Sequence, residues 1–442
     1  MKRRTFVGGM FSASVAAGVS NRANGTLRAP SDRIRIGLMG CGGRQNQLIP
    51  DFAARDDVDI ACVCDVDQAQ FSRIVSVVDE IKGKMPRRET DFRKMFDDPE
   101  IDAVVIAVNH HWHALATIMA CQAGKHVYVE KPMATNVWEG RKMVEAARKY
   151  DRVVQVGTQN RSYDYHTQAA DFIREGHIGE IHQVRIVNQM GNAAKGGPPK
   201  ERAVPEGFDY DMYCGPAPMV PWVGRWIYRQ LWDFSVGGIW DNALHQTDVV
   251  RWVLGLGAPK AVFSAGGVYQ CNDGRETPDT LVTTFEYDNL LMHLHASNCT
   301  PYREMIWKTA TAKNDDFPDW QFYACALELE GTEGTMFLGR HGGGWVAYDK
   351  GANVIKQVTA RTNVPKHIGN FIECCRTGKR PNADVEKLQE THILLHASNT
   401  ALRVGQRRLQ WDAANEQFLN DDEANALLKR KYRAPWIVPD QV

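Results

Sequence analysis

Between residues 34 and 157, short apolar runs alternate with stretches of helical period, and this alternation constrains the chain more than any other feature. Residues 34–39 (IRIGLM), 58–64 (VDIACVC), 103–108 (AVVIAV), 126–129 (HVYV) and 152–156 (RVVQV) read as strands that are apolar on both faces. Such strands suit a sheet covered by helices on either side. Helical-period segments at 45–54, 114–123 and 137–149 separate them. The pattern predicts parallel βαβ units in a doubly wound sheet.

After Gly157 the rhythm changes. Residues 190–231 are rich in Gly, Pro and aromatic residues and have little periodicity. A loop that long is usually functional. Strand-like runs follow at 261–269, 281–287, 290–296 and 326–329, with Asp288-Asn289 as a hairpin turn. These predict a mostly antiparallel sheet. The expected fold class is therefore α/β, a doubly wound parallel sheet followed by an α+β domain. The expected organisation is an export segment (1–30), a dinucleotide-binding domain (31–157), a substrate and oligomerisation domain (158–380) and a helical tail (381–442) packing back on the body, with a helix at 391–404.

The 53 basic and 53 acidic residues cancel. No overall positive field argues for nucleic acid as a partner. No apolar run reaches the ~20 residues that span a bilayer. The ten cysteines show no paired C-x-x-C spacing, and several sit in strand- or helix-like runs as small apolar residues. The chain opens with Lys2, Arg3 and Arg4 before a short apolar stretch, a pattern that resembles a twin-arginine signal and predicts export to the periplasm or beyond.

The first strand runs into Gly40-Cys41-Gly42-Gly43-Arg44, where backbone amides at a helix start can cradle a pyrophosphate. Gly40 and Gly42 fill the first two positions of G-x-G-x-x-G, but Gln45 stands in the third. Asp65 ends the second strand, placed to accept hydrogen bonds from ribose hydroxyls and to repel a 2′-phosphate, which favours NAD over NADP. Arg44 is a candidate phosphate partner. Lys131 follows Glu130 at the end of the fourth strand, where ligands of open α/β sheets bind. Asp241 and His245 are four residues apart, so they share a helix face, and a carboxylate beside an imidazole suits general base work. His110, His111 and His113 crowd one loop with no carboxylate nearby, so no metal is expected. The aromatic residues of the long loop (Tyr210, Tyr213, Trp222, Trp226, Tyr228, Trp232) offer faces on which a sugar can stack, or pack on one another.

The glycine turn, Asp65, Glu130-Lys131-Pro132 and the Asp241-x-x-x-His245 helix, in this order, resemble the Gfo/Idh/MocA oxidoreductase family. The resemblance implies an N-terminal Rossmann domain, a C-terminal domain on a large open antiparallel sheet, assembly into a homodimer or homotetramer, a nicotinamide cofactor, and carbohydrate or cyclitol substrates. It implies that Lys131 contacts the substrate hydroxyl and the nicotinamide, that His245 accepts the proton, and that Asp241 orients or assists it. Asn109, His110, His111, Trp112 and His113 look like the family's loop along the cofactor, and the implied cofactor set is completed by Gly40, Gly42, Gly43, Arg44, Asp65, Glu130, Lys131 and Gln159. Arg161, Tyr163, His166, Tyr228 and Trp232 are candidate substrate contacts. Three activities fit: a sugar oxidoreductase with net redox change, a glycoside hydrolase or lyase that oxidises its sugar transiently with no net redox, and a non-catalytic sugar-binding protein.

Overall fold

The computed structural model describes residues 33–191, 197–225, 227–299, 319–320 and 323–442. The expected export segment and Trp226 lie outside them. Six strands form the first sheet: β1 (Ile34–Met39), β2 (Val58–Cys64), β3 (Arg87–Glu89), β4 (Ala103–Ile106), β5 (His126–Val129) and β6 (Val154–Val156). All pairings are parallel and the order is β3-β2-β1-β4-β5-β6. This is the doubly wound arrangement, whose switch point lies between β1 and β4. Helices α1 (Gly43–Ala53), α2 (Phe71–Lys82), α3 (Phe92–Phe96), α4 (His110–Gln122) and α5 (Val137–Lys149) connect the strands. Asn136 caps α5 through its side-chain oxygen, which accepts from the Glu139 amide at 2.9 Å.

One local expectation changes here. The residues read as a loop at 110–113 are the first turn of α4, which starts at His110 with Asn109 as its cap position.

The second sheet contains β7 (Ile181–Gln189), β8 (Ala261–Gly267), β9 (Thr280–Glu286), β10 (Leu291–Ser297), β11 (Ala326–Gly331), β12 (Gly334–Gly339), β13 (Trp345–Asp349), β14 (Val354–Val358), β15 (Leu409–Asp412) and β16 (Gln417–Phe418). Their order is β14-β13-β12-β11-β7-β10-β9-β8-β15-β16. Every pairing is antiparallel except β7 with β10. The expected hairpin is present: Tyr287 donates to the Leu290 carbonyl across Asp288-Asn289.

Helices α6 (Asp164–Arg174), α7 (Tyr210–Cys214) and α8 (Gly238–Leu254) follow in chain order, and α8 packs against β7 and β10. The helix Val385–Arg403 starts earlier than expected because Asp384 caps it, accepting from the Glu386 amide. It touches α5 and β6 on one side and α8 and β8 on the other, so it joins the cores under the two sheets. His392 from this helix accepts from the Met133 amide at 2.8 Å and so fixes the chain just after Lys131.

Candidate functional site

The glycine turn leaves β1 at the switch point. Gly40 has φ +91°, and a Cβ there would lie 2.6 Å from the Ala107 carbonyl oxygen, so only glycine fits between the two crossovers. Side chains at Gly42 and Gly43 would meet open space. Gly42 caps α1 with no side chain of its own, which leaves the first amides of α1 for an anion. Gln45 replaces the third glycine without disturbing this turn. It is fully buried inside α1, and its amide finds no protein partner.

Asp65 closes the turn. Its carboxylate accepts from the Cys41 amide at 2.7 Å and the Asp67 amide at 2.8 Å. Burial raises this carboxyl, and the two amides oppose the rise. A cleft of about 390 Å³ opens here, lined by Gly40, Gly42, Gly43, Asp65, Asn109 and Trp112 and also by Tyr213 and Arg225. The open amides, the close-approach glycine and the acid at the end of β2 fit a dinucleotide.

Arg44 lines this cleft and is at the same time tied to the protein. Its Nε donates to Glu130 at 2.8 Å and its Nη1 to Gln47 at 3.0 Å. Gln159 donates to the same Glu130 carboxylate at 3.2 Å and to the Tyr128 hydroxyl at 3.0 Å. Glu130 and Gln159 therefore brace the end of β5.

The reactive corner lies just beyond. Lys131 Nζ donates to the Asp241 carboxylate at 2.7 Å and to the Asp241 carbonyl at 2.5 Å. His110 Nε2 sits 3.3 Å from the same carboxylate oxygen. Burial raises the Asp241 carboxyl, but Lys131 and His110 outweigh it and hold the group well below the usual range. Burial also lowers Lys131, against the pull of Asp241. The expectation that Asp241 orients His245 is corrected: the shared helix face is real, but the carboxylate turns to Lys131 and His110. His245 is buried, and its Nδ1 has no protein partner. Burial first, then Arg340 and Lys131, hold its imidazole well below the usual value. The neutral imidazole is thereby favoured, in the field of the Lys131 ammonium.

Several expected contacts serve the fold instead. His111 Nε2 meets the Tyr213 carbonyl at 2.9 Å, and Trp112 donates to the Met212 carbonyl at 2.9 Å. His113 lies between the Pro132 and Val108 carbonyls, at 2.6 and 3.0 Å. Of the cluster, Asn109 and Trp112 reach the cleft and His110 reaches Asp241, while His111 and His113 pin backbone. Arg161 is not at the substrate end: it forms a buried fork with Asp248, whose other partner is Thr391. His166 meets the carbonyls of Asn160 and Gly339. Tyr228 shares a hydrogen bond with Tyr210 and stacks on Trp222 with ring centres 5.9 Å apart, so that loop packs on itself. Trp232 lies under Arg403. Tyr163 remains near the corner, where burial pushes its hydroxyl up to about 12 while Arg340 and Arg44 pull against the rise.

Arg340 and His341, at the β12–β13 turn, were not singled out from the sequence. Among the described residues, one group has metal-ligand spacing, Cys271, Asp279 and Cys299, whose ligand atoms lie within 4.8 Å of one another. The Asp279 carboxylate there already accepts from the amides of Tyr269, Gln270 and Cys271.

Comparison with known proteins agrees with this geometry. The family described as "Oxidoreductase family, NAD-binding Rossmann fold" matches residues 34–158. The GFO/IDH/MocA C-terminal domain matches 208–337, and the oxidoreductase C-terminal alpha/beta domain matches 328–438. A Glycosyl hydrolase family 109 protein of Shewanella baltica (strain OS155) is 27% identical over 164 residues, 36% of this chain and 35% of that protein. The chain thus spans about a third of the length of that curated relative. Among solved structures, the WlbA dehydrogenase of Bordetella pertussis, in complex with NADH and UDP-GlcNAcA, superposes with a TM-score of 0.61 at 22% identity, over 86% of this chain and 99% of that one. The aldose-aldose oxidoreductase of Caulobacter crescentus gives 0.63 at 17% identity, over 86% of this chain and 99% of that one. Both share the fold. With its parallel sheet, its open glycine turn and three family matches in sequence, the chain belongs to the Gfo/Idh/MocA oxidoreductases and carries their NAD-binding Rossmann domain.

Proposed function

We propose that the protein oxidises a hydroxyl of a sugar, glycoside or cyclitol. The observation that carries this reading is the ion pair of Lys131, one residue from the Glu130 that holds Arg44 of the glycine turn, with Asp241, on the helix that also bears the buried His245. NAD, when bound at that turn, supplies the acceptor for the hydride that leaves the alcohol carbon. His245 takes the hydroxyl proton as the carbonyl forms. Lys131 donates to the same oxygen and stabilises the charge that develops on it. Asp241 and His110 keep the ammonium in place.

A second reading is favoured by the relatives named glycosyl hydrolase family 109, which match the chain over 36% of its length. In it the sugar is oxidised transiently, its glycosidic substituent is eliminated, and the ring is reduced again after water adds. The as-purified protein separates the two. A sugar-dependent rise in reduced-nicotinamide absorbance supports net oxidation. Release of nitrophenol from nitrophenyl glycosides without added NAD, and without lasting absorbance change, supports hydrolysis. Binding with neither signal would sink both. The same reading takes residues 1–30 as a twin-arginine export segment to the periplasm or beyond, and the working form as a homodimer or homotetramer.

A further inference from the structure

We propose that Arg340 receives an anionic group of the substrate, so that the preferred substrates are acidic sugars, bearing a carboxylate or a phosphate, and not neutral ones. This deepens the reading above and rests on it for the position of the reacting carbon.

The argument starts with the turn that carries the residue. Gly342, Gly343 and Gly344 have φ values of +83°, +77° and +71°, a conformation that side chains resist. A Cβ on Gly344 would fall 1.6 Å from the Val358 carbonyl oxygen. The Tyr165 hydroxyl binds the carbonyls of Gly339 and Arg340 at 2.9 and 3.0 Å, and the Gly342 amide meets the same hydroxyl at 3.2 Å. The turn is therefore built tightly and clamped, which fixes the guanidinium it presents.

Arg340 is 5% exposed, and its Nη1 donates to the Asn242 side-chain oxygen. Asn242 lies next to Asp241 and three residues before His245 on α8, so the guanidinium sits over the helix face that bears the base. Of the other cations of the corner, Lys131 is matched by Asp241 and Arg44 by Glu130, while Arg229, whose charge also acts on Asp241 and His110, is exposed to solvent. Among the described residues, no carboxylate lies within ion-pair distance of Arg340; the Cys325 thiol is a neutral hydrogen-bond neighbour, and the buried Nε finds no acceptor. A buried charge without a counter-ion is unfavourable, and one that the fold holds rigidly points to a ligand that completes it. The planar fork of arginine suits a carboxylate or phosphate better than a neutral hydroxyl. Its field reaches the reacting groups, since Arg340 lowers Lys131, His245 and His341 alike.

The test is calorimetric binding to the NAD-loaded protein of D-glucuronate and D-galacturonate, of glucose 6-phosphate, and of glucose and galactose. At least one acidic class should bind tenfold or more tightly than its neutral counterpart, and the class that does so identifies the group. In R340Q that preference should vanish, while R340K should keep part of it. Neutral sugars binding as tightly as acidic ones in the wild type would overturn the proposal, even if R340Q fails to fold. A preference that survives R340Q would overturn it as well. Nicotinamide absorbance, read in the same samples, keeps the two claims apart. Reduction by neutral sugars alone removes the acidic-substrate claim and leaves hydride transfer standing. Arginine-dependent binding of acids with no reduction by any sugar leaves the subsite and removes the oxidation.

Discussion

Lys131 and Asp241 are as much a structural pair as a catalytic one. The ammonium is the main counter-ion of a half-buried carboxylate at the reactive corner, and without it only His110 and the more distant charge of Arg229 would remain. Breaking a fully buried pair by deleting one partner destabilises by about 3–5 kcal/mol, and this partly exposed pair should lose less than that. Lys131→Met should therefore lower the melting temperature as well as turnover, the latter by roughly 10²–10³-fold as for other lost electrostatic donors. Adding Asp241→Asn should recover much of the stability and none of the activity. Thermal melts and steady-state rates on the two variants check both halves, and a K131M protein as stable as wild type would refute the pairing. The places of Lys131, just past β5, and of His245, on the helix with Asp241, were legible because motif and position agree. The partner of Asp241 was not, because i to i+4 spacing fixes a helix face but not which neighbour across the sheet the carboxylate meets. Arg340 was illegible for a deeper reason. What marks it is the lack of an anion around it, and that exists only in three dimensions.

At the level of elements, the parallel sheet was readable because doubly buried strands and intervening helices leave few alternatives. β7 was missed: its outward positions carry Gln183, Arg185 and Gln189, and His182 and Asn188 interrupt the inward face, so no continuous apolar run announces it. The start of α4 was also misjudged, since three histidines in a first turn look like loop chemistry until their ring nitrogens are seen on backbone carbonyls and on Asp241. The end of β5 gives a test at this scale. Gly157, just past β6, approaches Glu130 so closely that a Cβ would lie 2.7 Å from its carboxyl carbon. Gly157→Ala should push Glu130 away from Arg44 and Gln159 and cost about 1–3 kcal/mol, as overpacking does. Because this brace also holds Lys131, NAD-dependent turnover should fall along with stability. Denaturant unfolding and activity assays check this, and unchanged midpoints would show that the brace yields freely.

The large sheet bears α8 on one face and leaves apolar side chains on the other: Phe263, Val282 and Leu291 are each about two-fifths exposed, on adjacent strands. If this face joins two copies of the chain, Val282→Lys should shift light-scattering mass towards the monomer while leaving the NAD site intact; an unchanged mass would place the contact elsewhere.

Acid stability depends on the whole body, because its histidines are spread through both cores. Burial holds His111, His113 and His367 down to about 3, and His126, His166 and His392 down to about 4. Unfolded histidine titrates near 6.5. Below that pH the unfolded chain takes up protons that the folded chain refuses, so stability is full above about 7 and is lost as pH falls through 6.5 towards 4. Each such group contributes a slope of about 1.4 kcal/mol per pH unit once the unfolded state is protonated. With six of them, the loss between pH 6 and pH 5 reaches several kcal/mol, before carboxylates begin to titrate. Melting temperatures from pH 8 to pH 5 should thus be level at first and then drop steeply. A flat profile down to pH 5 would mean that these imidazoles carry protons in the folded protein, and with them His245, whose role as a base requires it to be neutral.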